Sequence, residues 1–501
     1  MKKIVLVQPN CGKYDLYILD MPLGLLYLSR LLIAAGYEVV IVDQRILREK
    51  TSEILTKLLL DSSVAPLWVG FTVMTGEPIT HALALSKLIK KISSTTPVVW
   101  GGIHPTILPE VTLANPAIDY LIKGPGERAA LLLSKCLQEG GDLKQIPGLS
   151  YKQDEQMVHL PRDEEVSEQE LPMVPYHLVD HSKYFRVGFE KKLFSIMTSR
   201  HCPHQCTFCY NSSLMQKKPW IPDSLEYTFR HIDFILENYS PEYLSFIDDD
   251  FLVDKKRARA IFQYLIDKKL PMKIGLRGVR ITDLYRLDDE FLDLMAKANT
   301  VHLNIGVESG SEKILNLIKK GSNPSMIFEV NRRLAKWPNF IPLYNFFSGI
   351  PAETIEDIRL STQMILRLVK ENPYCQISGH HQYTPYPGNL LFEEAVERGF
   401  PVPITLEGWG KLHFEDNAKN CPWIDKKRKK ILDMIYFSVY FVDGKYDTYF
   451  AKNNWSLRLL KPAVSGYKSI AKLRLKYLFY HFPLELYAKD LFYWYLYDRK
   501  D

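Results

Sequence analysis

The sequence predicts an α/β protein with two parallel-sheet units followed by a mainly helical segment. Residues 1–145 alternate short β-branched runs with stretches of helical period, which is typical of a doubly wound parallel sheet. Residues 191–399 contain a second alternating series, whose six strand and helix pairs predict a partial (β/α)6 barrel. Residues 146–190 are charged and interrupted by prolines, which predicts a linker, and residues 400–501 predict a small helical domain.

The first unit is predicted from strands that are apolar almost throughout, as expected where both faces of a sheet are covered. The predicted strands are residues 3–9, 38–43, 67–73, 97–102 and 118–124, with a helix over residues 22–37. A ligand of such a sheet lies beyond the carboxyl ends of the strands. Those ends carry residues 9–10, 72–75, 101–104 and 124–127, which are the candidate binding residues of this unit.

The barrel prediction depends on six further apolar runs with helix-length segments between most of them. These runs are residues 193–199, 243–248, 273–278, 301–306, 341–349 and 376–383. In a barrel of this kind the chemistry is located at the carboxyl ends of the strands. The sequence after each run is therefore where catalytic and binding residues are expected.

Composition excludes several classes of protein. The 501 residues include 64 Lys and Arg against 58 Asp and Glu, a net charge of +6, which is too small an excess to indicate a nucleic-acid partner. Seven cysteines and an amino terminus without an apolar run predict a reducing, cytoplasmic location. No apolar stretch is long enough to span a membrane, although the aromatic and basic carboxyl-terminal domain leaves peripheral membrane contact open.

Three cysteines, Cys202, Cys206 and Cys209, lie within eight residues directly after a predicted barrel strand. Three buried small side chains or a zinc site would be the structural alternatives. A closed zinc site requires four ligands, and the sequence downstream contains no second paired cysteine motif. Three thiolates at this spacing suit a cubane cluster held at three irons, with the fourth iron open to a cofactor or substrate.

With this Cys-x3-Cys-x2-Cys motif, the chain resembles the radical SAM superfamily. Residues 305–315, 349–354 and 383–395 resemble the later strand ends of the branch that carries an N-terminal, Rossmann-like cobalamin-binding domain. Within the first unit, residues 72–74 and the pair Gly101 and Gly102 are similar to elements of that cobalamin fold. The resemblance implies a 4Fe-4S cluster, S-adenosyl-L-methionine and cobalamin as cofactors.

One departure from the family pattern concerns cobalamin. The Asp-x-His-x-x-Gly element that supplies an axial histidine is replaced by residues 8–12, Gln-Pro-Asn-Cys-Gly, which contain no histidine. The resemblance then implies cobalamin held without a protein imidazole on its lower face, a change that alters the electronics of the cobalt. The cobalamin-binding residues that it implies are Pro9, Asn10, Thr72, Val73, Met74, Gly101, Gly102, His104 and Glu127.

The resemblance also implies catalytic and S-adenosylmethionine-binding residues. Cys202, Cys206 and Cys209 are the catalytic cluster ligands. Glu308 is expected at the ribose hydroxyls, and Arg277 or Arg280 at the methionine carboxylate, with an internal salt bridge as the alternative for the arginines. A solvated turn is the alternative for the three aspartates. The full set of expected S-adenosylmethionine contacts is Phe208, Asp248, Asp249, Asp250, Arg277, Arg280 and Glu308.

The function implied is that of a cobalamin-dependent radical SAM methyltransferase, which methylates an unactivated carbon through a 5′-deoxyadenosyl radical and methylcobalamin. An oxidative cyclase or ring-rearranging enzyme with the same cofactors is the first alternative, and an iron-sulfur or cobalamin redox-sensing module is the non-enzyme alternative. The expected partners are a small-molecule or lipid-like substrate and an external electron donor such as flavodoxin or ferredoxin. The chain is expected to be a monomer.

Overall fold

A computed structural model describes residues 2–12, 15, 18–61, 65–162, 171–186, 192–211, 220–269, 271–412, 420–445 and 461–487. The chain divides into two compact units. The first comprises Met1–Ser195, Asp223–Tyr243 and Val402–His413, and the second comprises Ile196–Pro222, Leu244–Pro401 and Phe414–Asp501. The domain boundaries at residues 145, 190 and 399 stay a prediction. In the described part of the chain, no helix combines the length and the apolarity that crossing a bilayer requires.

The first unit is built on a seven-stranded sheet with the strand order β3-β1-β4-β5-β6-β7-β8. Strands β3, β1, β4, β5 and β6 run parallel, and the order reverses between β1 and β4, which is where a doubly wound sheet forms its ligand crevice. The strands in chain order are β1 (Lys3–Gln8), β2 (Ile18–Leu19), β3 (Glu38–Asp43), β4 (Pro66–Thr72), β5 (Val98–Gly101), β6 (Tyr120–Ile122), β7 (Leu149–Gln153), β8 (Gln156–His159) and β9 (Phe185–Arg186).

Helices cover this sheet and bury its apolar side chains. Two tryptophans of the sheet are buried with their indole N–H groups satisfied, since Trp68 donates to Ser134 Oγ over 2.9 Å and Trp100 donates to Ser86 Oγ over 3.0 Å. The helices of the unit are α1 (Leu23–Ala34), α2 (Gln44–Leu47), α3 (Lys50–Leu60), α4 (Glu77–Ile92), α5 (Ile103–Ile107), α6 (Pro109–Leu113), α7 (Glu127–Glu139), α8 (Leu225–Tyr239) and the short helix Leu406–Gly410.

The interpretation of residues 146–190 as a linker is corrected for its first part. Strands β7 and β8 form an antiparallel hairpin that extends the first sheet beyond β6. The turn is made by Asp154 and Glu155, both at positive φ, as in tight hairpins. The strands are short, and Lys152, Gln153 and Gln156 are polar and exposed, so their sequence does not show the apolar run of a buried strand. Residues 163–170 and 187–190 lie outside the described part.

The second sheet has six strands in the sequential order β10-β13-β14-β15-β16-β17, which confirms the predicted partial barrel. The last four strands pair in parallel. Each of the six predicted apolar runs overlaps one of these strands. The six strands are β10 (Leu193–Ile196), β13 (Tyr243–Phe246), β14 (Lys273–Arg280), β15 (Thr300–Glu308), β16 (Ile341–Ser348) and β17 (Gln376–Gln382). Two short strands, β11 (Ser199–Arg200) and β12 (Ile221–Pro222), form a separate antiparallel pair.

The barrel helices begin at side chains that cap their first turn. Ser311, Thr354 and Asn389 each accept a hydrogen bond from a backbone N–H of the helix that follows, and Thr354 forms a capping box with Asp357. The helices of the second unit are α9 (Lys255–Asp267), α10 (Ile281–Arg286), α11 (Asp289–Lys297), α12 (Glu312–Leu317), α13 (Pro324–Leu334), α14 (Ile355–Glu371), α15 (Leu390–Glu397), α16 (Lys426–Ser438) and α17 (Lys461–Tyr477).

The described carboxyl-terminal part is helical, as predicted, and packs against the last barrel strand. Asp443 accepts a hydrogen bond from Ile377 N over 2.7 Å, and Gln382 donates to Asp433 over 2.8 Å, so both ends of β17 are tied to this segment. Residues 446–460 and 488–501, which include part of the aromatic-rich end, lie outside the described residues. The two hydrogen bonds attach the described carboxyl-terminal segment to the last strand of the barrel sheet.

Gly278 permits a close approach that a side chain would block. A Cβ atom at this position would lie 2.2 Å from the Asp248 carbonyl oxygen and 2.4 Å from that of Asp249, and both are backbone atoms. We expect Gly278→Ala to destabilise the protein by about 1–3 kcal/mol, since overpacking forces a backbone shift. Thermal unfolding followed by circular dichroism measures this as a lower Tm.

The matched control is Gly466→Ala in α17 of the same unit, where no atom lies within 4 Å of the added Cβ. Because alanine favours helix over glycine, this variant should unfold at the wild-type temperature or above it. Equal melting temperatures for the two variants would contradict the close approach.

Candidate active site

The cysteine loop follows β10 and β11 at the carboxyl end of the barrel sheet. Cys206 is buried, and Cys202 and Cys209 are half-buried. Cys209 N donates to Cys206 O over 3.1 Å, which folds the two thiols into one turn, and Thr207 N donates to Ile318 O over 3.1 Å. The loop is therefore held at its centre by the segment that follows α12.

Burial governs the acidity of the loop thiols. It raises the pKa of Cys202 to about 12 and the pKa of Cys209 to about 11. These two thiols are protonated at neutral pH until a metal displaces the protons. The donor set itself fits an iron-sulfur cluster, since soft thiolates select such clusters and the loop provides three of them.

Arg280, at the end of β14, contacts the central cysteine. Its Nη1 donates to Cys206 Sγ over 3.2 Å and its Nη2 donates to Lys320 O over 2.5 Å, while the side chain is almost fully buried. The sequence offered two roles for Arg280, a contact with the methionine carboxylate or a salt bridge. The structure places its guanidinium on the Cys206 thiol, which neither role included.

The three adjacent aspartates have three different environments. Asp248 is buried, and its Oδ1 accepts hydrogen bonds from Thr198 N, Thr198 Oγ1 and Ser199 Oγ at 3.1, 2.9 and 2.5 Å. Burial raises the pKa of Asp248, and its Oδ2 has no hydrogen-bond partner. Asp249 is exposed and Asp250 is buried. The solvated turn considered for this trio is therefore wrong for two of its members.

Asp250 belongs to a small polar cluster beside Cys202. Its Oδ2 lies 3.2 Å from His204 Nε2, and the ligand atoms of Cys202, His204 and Asp250 all lie within 4.8 Å of one another. Burial, together with the neighbouring charge of Asp250, raises the pKa of Asp283 to about 6. Neither His204 nor Asp283 was selected from the sequence, because a histidine within a cysteine loop and an aspartate within a helix carry no pattern of their own.

Glu308 ends β15 in a left-handed conformation, with φ at 73°. Its carboxylate accepts a hydrogen bond from Lys320 Nζ over 2.8 Å, and both side chains are nearly buried. Lys320 Nζ also lies 5.7 Å from the centre of the Phe208 ring, within the range of a cation–π contact. Gly306 leaves the room for this pair, since a Cβ there would lie 2.2 Å from Glu308 Oε1. Lys320 was missed from the sequence.

Phe208 therefore lies beside Lys320, and its ring is 5.0 Å from that of Phe347. Arg277 is half-buried on β14, three residues before Arg280. The expected roles of Phe208, Arg277 and Glu308 toward S-adenosylmethionine stay predictions. Together with Asp249 they present an aromatic ring, a cation and two carboxylates at the carboxyl edge of the barrel sheet, which matches the adenine, carboxylate, ribose and ammonium of that cofactor.

The candidate cobalamin residues of the first unit lie at the ends of β1, β4 and β5. Asn10 N donates to Gln44 Oε1, and Asn10 Oδ1 accepts from Gly12 N over 2.6 Å, so this loop is fixed by its own amides. Gly102 has φ at 97°, and a Cβ there would lie 2.9 Å from Val73 N and O. Met74 is 56% exposed. At the carboxyl ends of these strands, backbone groups and the exposed Met74 side chain are therefore available to a flat ligand.

Three of the candidate cobalamin residues are turned into the first unit. Val73 is fully buried, and Glu127 is buried with its Oε1 3.5 Å from Arg30 Nη2. His104 is buried with its Nδ1 3.0 Å from Thr75 Oγ1 and its Nε2 without a hydrogen-bond partner. Burial lowers the pKa of His104 to about 3, so its imidazole is neutral. These three side chains pack inside the unit and support the carboxyl ends of its parallel strands.

Two adjacent histidines, His380 and His381, lie on β17. His380 is buried, stacks on Phe346 at 6.2 Å between ring centres, and has its Nε2 3.2 Å from Ser348 Oγ. Burial lowers the pKa of His380 to about 3. His380 is therefore a satisfied core residue of the barrel.

Two family models match this chain, the radical SAM superfamily over residues 196–365 and the B12 binding domain over residues 20–133. An uncharacterized methyltransferase of Pyrococcus horikoshii is 30% identical over 84% of this chain and 87% of its own length. An anaerobic magnesium-protoporphyrin IX monomethyl ester cyclase of Rubrivivax gelatinosus is 25% identical over 75% of this chain and 66% of its own length.

A solved structure shows the same fold over nearly the whole chain. The cobalamin-dependent S-adenosylmethionine radical enzyme OxsB, with aqua-cobalamin and S-adenosylmethionine bound, aligns with a TM-score of 0.72 at 18% identity. The alignment covers 99% of this chain and 75% of the OxsB chain. At this identity the likeness establishes the architecture alone.

The neutral state of His380 predicts a specific pH dependence. The ordinary histidine pKa is 6.5 and the folded value is about 3, so its contribution to stability is complete above pH 6.5 and is lost as the pH falls toward 3. Between pH 7 and pH 5 wild type should lose about 2 kcal/mol that His380→Gln does not lose. Unfolding of both proteins at the two pH values measures this difference.

Glutamine keeps a polar group near Ser348 but does not take up a proton, so the variant isolates the effect of protonating His380 on stability. His177→Gln, at an exposed position, should show the wild-type pH dependence. A stability difference between wild type and His380→Gln that is the same at both pH values would contradict a buried neutral imidazole.

Proposed function

The chain belongs to the branch of the radical SAM superfamily that carries a B12-binding domain, and we propose that it is a methyltransferase acting on an unactivated carbon. The observation that carries this proposal is the cysteine triad at the carboxyl end of a barrel sheet, in one chain with a doubly wound sheet of the B12-binding family. The methyltransferase relative from Pyrococcus horikoshii, aligned over most of both chains, supports the reaction type.

Cys202, Cys206 and Cys209 would hold the cluster, and Phe208, Asp249, Arg277 and Glu308 would bind S-adenosylmethionine. When bound, these groups supply hydrogen-atom abstraction, and cobalamin supplies methyl transfer. The contribution of the protein is placement and exclusion of water. The buried Lys320 and Glu308 pair supports this task, because it fixes a carboxylate and a cation beside Phe208 without solvent between them.

Cobalamin would lie on the carboxyl edge of the first sheet. Pro9, Asn10, Thr72, Gly101 and Gly102 would line that edge with backbone, and Met74 would offer its exposed side chain to the corrin. Val73, His104 and Glu127 would support the edge from within. The exposure of Met74 supports this assignment, because this large apolar side chain lies two residues beyond the end of β4, at the carboxyl edge of the sheet.

A cyclase that uses the same cofactors is the second candidate. It is favoured by the likeness to the magnesium-protoporphyrin cyclase of Rubrivivax gelatinosus, which aligns over 75% of this chain. Both reactions would use the cluster, S-adenosylmethionine and cobalamin residues in the same way. They differ in whether a methyl group leaves the enzyme.

The substrate proposed is a small or lipid-like molecule, and the electron donor is an external protein such as flavodoxin or ferredoxin. Exposed apolar side chains near the described carboxyl terminus support an apolar substrate or a peripheral lipid contact. Phe482, Leu484 and Tyr487 are 81%, 75% and 70% exposed, beside the basic helix α17.

Product analysis tests the function. With anaerobically reconstituted protein, cobalamin, S-adenosylmethionine and a low-potential reductant, we expect both S-adenosylhomocysteine and 5′-deoxyadenosine. Cys206→Ala should lose the cluster absorption and at least 100-fold of the 5′-deoxyadenosine formation, because a cubane held at two irons is not retained. Cys136→Ala, which removes a half-buried thiol of α7, is the matched control and should behave as wild type.

Three outcomes would change the proposal. Formation of 5′-deoxyadenosine without S-adenosylhomocysteine would favour the cyclase. Cleavage that survives Cys206→Ala would refute the ligand assignment. A cluster that persists without any cleavage would support a redox-sensing module.

The cobalamin edge is tested separately by affinity. We expect Met74→Glu to weaken cobalamin binding at least tenfold, because a carboxylate facing the corrin must be desolvated. The measurement is titration of hydroxocobalamin followed by its absorption. Leu60→Glu is the control, since Leu60 is equally exposed at the end of α3 but lies at no strand end. Equal affinities of the two variants would place cobalamin elsewhere or nowhere on this chain.

A further inference from the structure

Arg280 is the residue on which the further inference depends, because it contacts a cluster thiol from outside the cysteine loop. Its Nη1 lies 3.2 Å from Cys206 Sγ, although 74 residues separate the two in sequence. We propose that Arg280 sets the reduction potential of the cluster by donating a hydrogen bond to this sulfur. The inference rests on the proposed function, since it requires that Cys202, Cys206 and Cys209 hold the cluster.

The surroundings of Cys206 disfavour additional negative charge. Helix α12 ends beside the loop, where the carbonyl oxygen of Ile318 accepts from Thr207 N and that of Lys319 lies 3.9 Å from Cys206 Sγ. Carbonyl groups at a helix end carry partial negative charge. A metal-bound thiolate also has no proton to donate to the Lys319 carbonyl. The partial negative charge of the Ile318 and Lys319 carbonyl groups makes it less favourable to add an electron to a cluster bound at Cys206.

The positive charge of Arg280 counteracts the negative charge of these carbonyl groups, and it does not change with pH. A guanidinium stays protonated at all relevant pH values, and its planar fork holds two acceptors in fixed directions. Here the two acceptors are Cys206 Sγ and Lys320 O. Hydrogen bonds to cluster sulfurs and the local charge are among the factors that set iron-sulfur potentials, and a cationic donor favours the reduced cluster.

The same fork links the cluster ligand to the Glu308 pair. Arg280 binds the carbonyl of Lys320, whose ammonium binds Glu308. Arg280 is therefore a positioning residue for the loop after α12 as well as a donor to sulfur. A residue with only the first role would affect cluster loading or S-adenosylmethionine affinity and would leave the potential of the loaded cluster unchanged.

The experiment is a redox titration of the reconstituted full-length protein without S-adenosylmethionine, monitored by electron paramagnetic resonance of the reduced cluster. We expect Arg280→Gln to lower the equilibrium constant for reduction of the cluster about tenfold. This corresponds to a reduction potential about 59 mV more negative for a one-electron couple. Arg280→Lys, which keeps the charge and loses the fork, should fall between Arg280→Gln and wild type. Arg277→Gln on the same strand is the control for loss of charge alone and should shift the potential less.

A second measurement is made on the wild-type protein, with Arg280→Lys as its control. Protein labelled with ¹⁵N-arginine should show a weak nitrogen hyperfine coupling to the reduced cluster, and the same label in Arg280→Lys should not. This measurement decides the question if Arg280→Gln fails to load iron.

The inference is overturned if Arg280→Gln and Arg277→Gln have the same potential, or if labelled wild type shows no nitrogen coupling. Either result with a fully loaded cluster leaves the proposed function intact. A wild-type protein that binds no iron after reconstitution would instead refute the proposed function. The two failures are therefore distinguishable.

Discussion

The buried carboxylate of Asp248 is the constraint on which the arrangement of the barrel mouth depends. It accepts three hydrogen bonds from Thr198 and Ser199, at the point where the first barrel strand ends and the cysteine loop begins. Hydrogen bonds of this kind contribute about 0.5–1.5 kcal/mol each, and loss of the donors would leave a buried acceptor unsatisfied. Arg257 fixes the same point by donating to Thr198 O over 2.6 Å. The direction of the loop is therefore set before its first cysteine.

Much of this arrangement is readable from the sequence, because it depends on local patterns. All six barrel strands follow from apolar runs, and the cysteine triad follows from spacing. The family-like segments 305–315, 349–354 and 383–395 contain Ser311, Thr354 and Asn389, each of which caps a helix. Part of the resemblance in these segments therefore reflects how the helices begin.

The contacts that the sequence could not provide are those between distant side chains. Arg280 and Cys206 are 74 residues apart, and the choice between a thiol, a carboxylate and a cofactor as the partner of Arg280 depends on the position of the loop after α12. The hairpin of β7 and β8 was missed for another reason. Antiparallel strands with a solvated face lack the continuous apolar run that identified the buried strands. Long-range packing decides both cases.

The backbone of Glu308 indicates that the site is organised before any cofactor binds. A non-glycine residue at φ 73° costs about 1–3 kcal/mol and persists only where the surroundings determine it. Here those surroundings are the salt bridge to Lys320 and the space left by Gly306. Because Lys320 is tied in turn to Arg280 and thereby to Cys206, a strained carboxylate and one thiol of the cysteine triad share one frame. Displacement of either would be opposed by the other, so the separation of Cys206 and Glu308 is fixed by contacts within the protein.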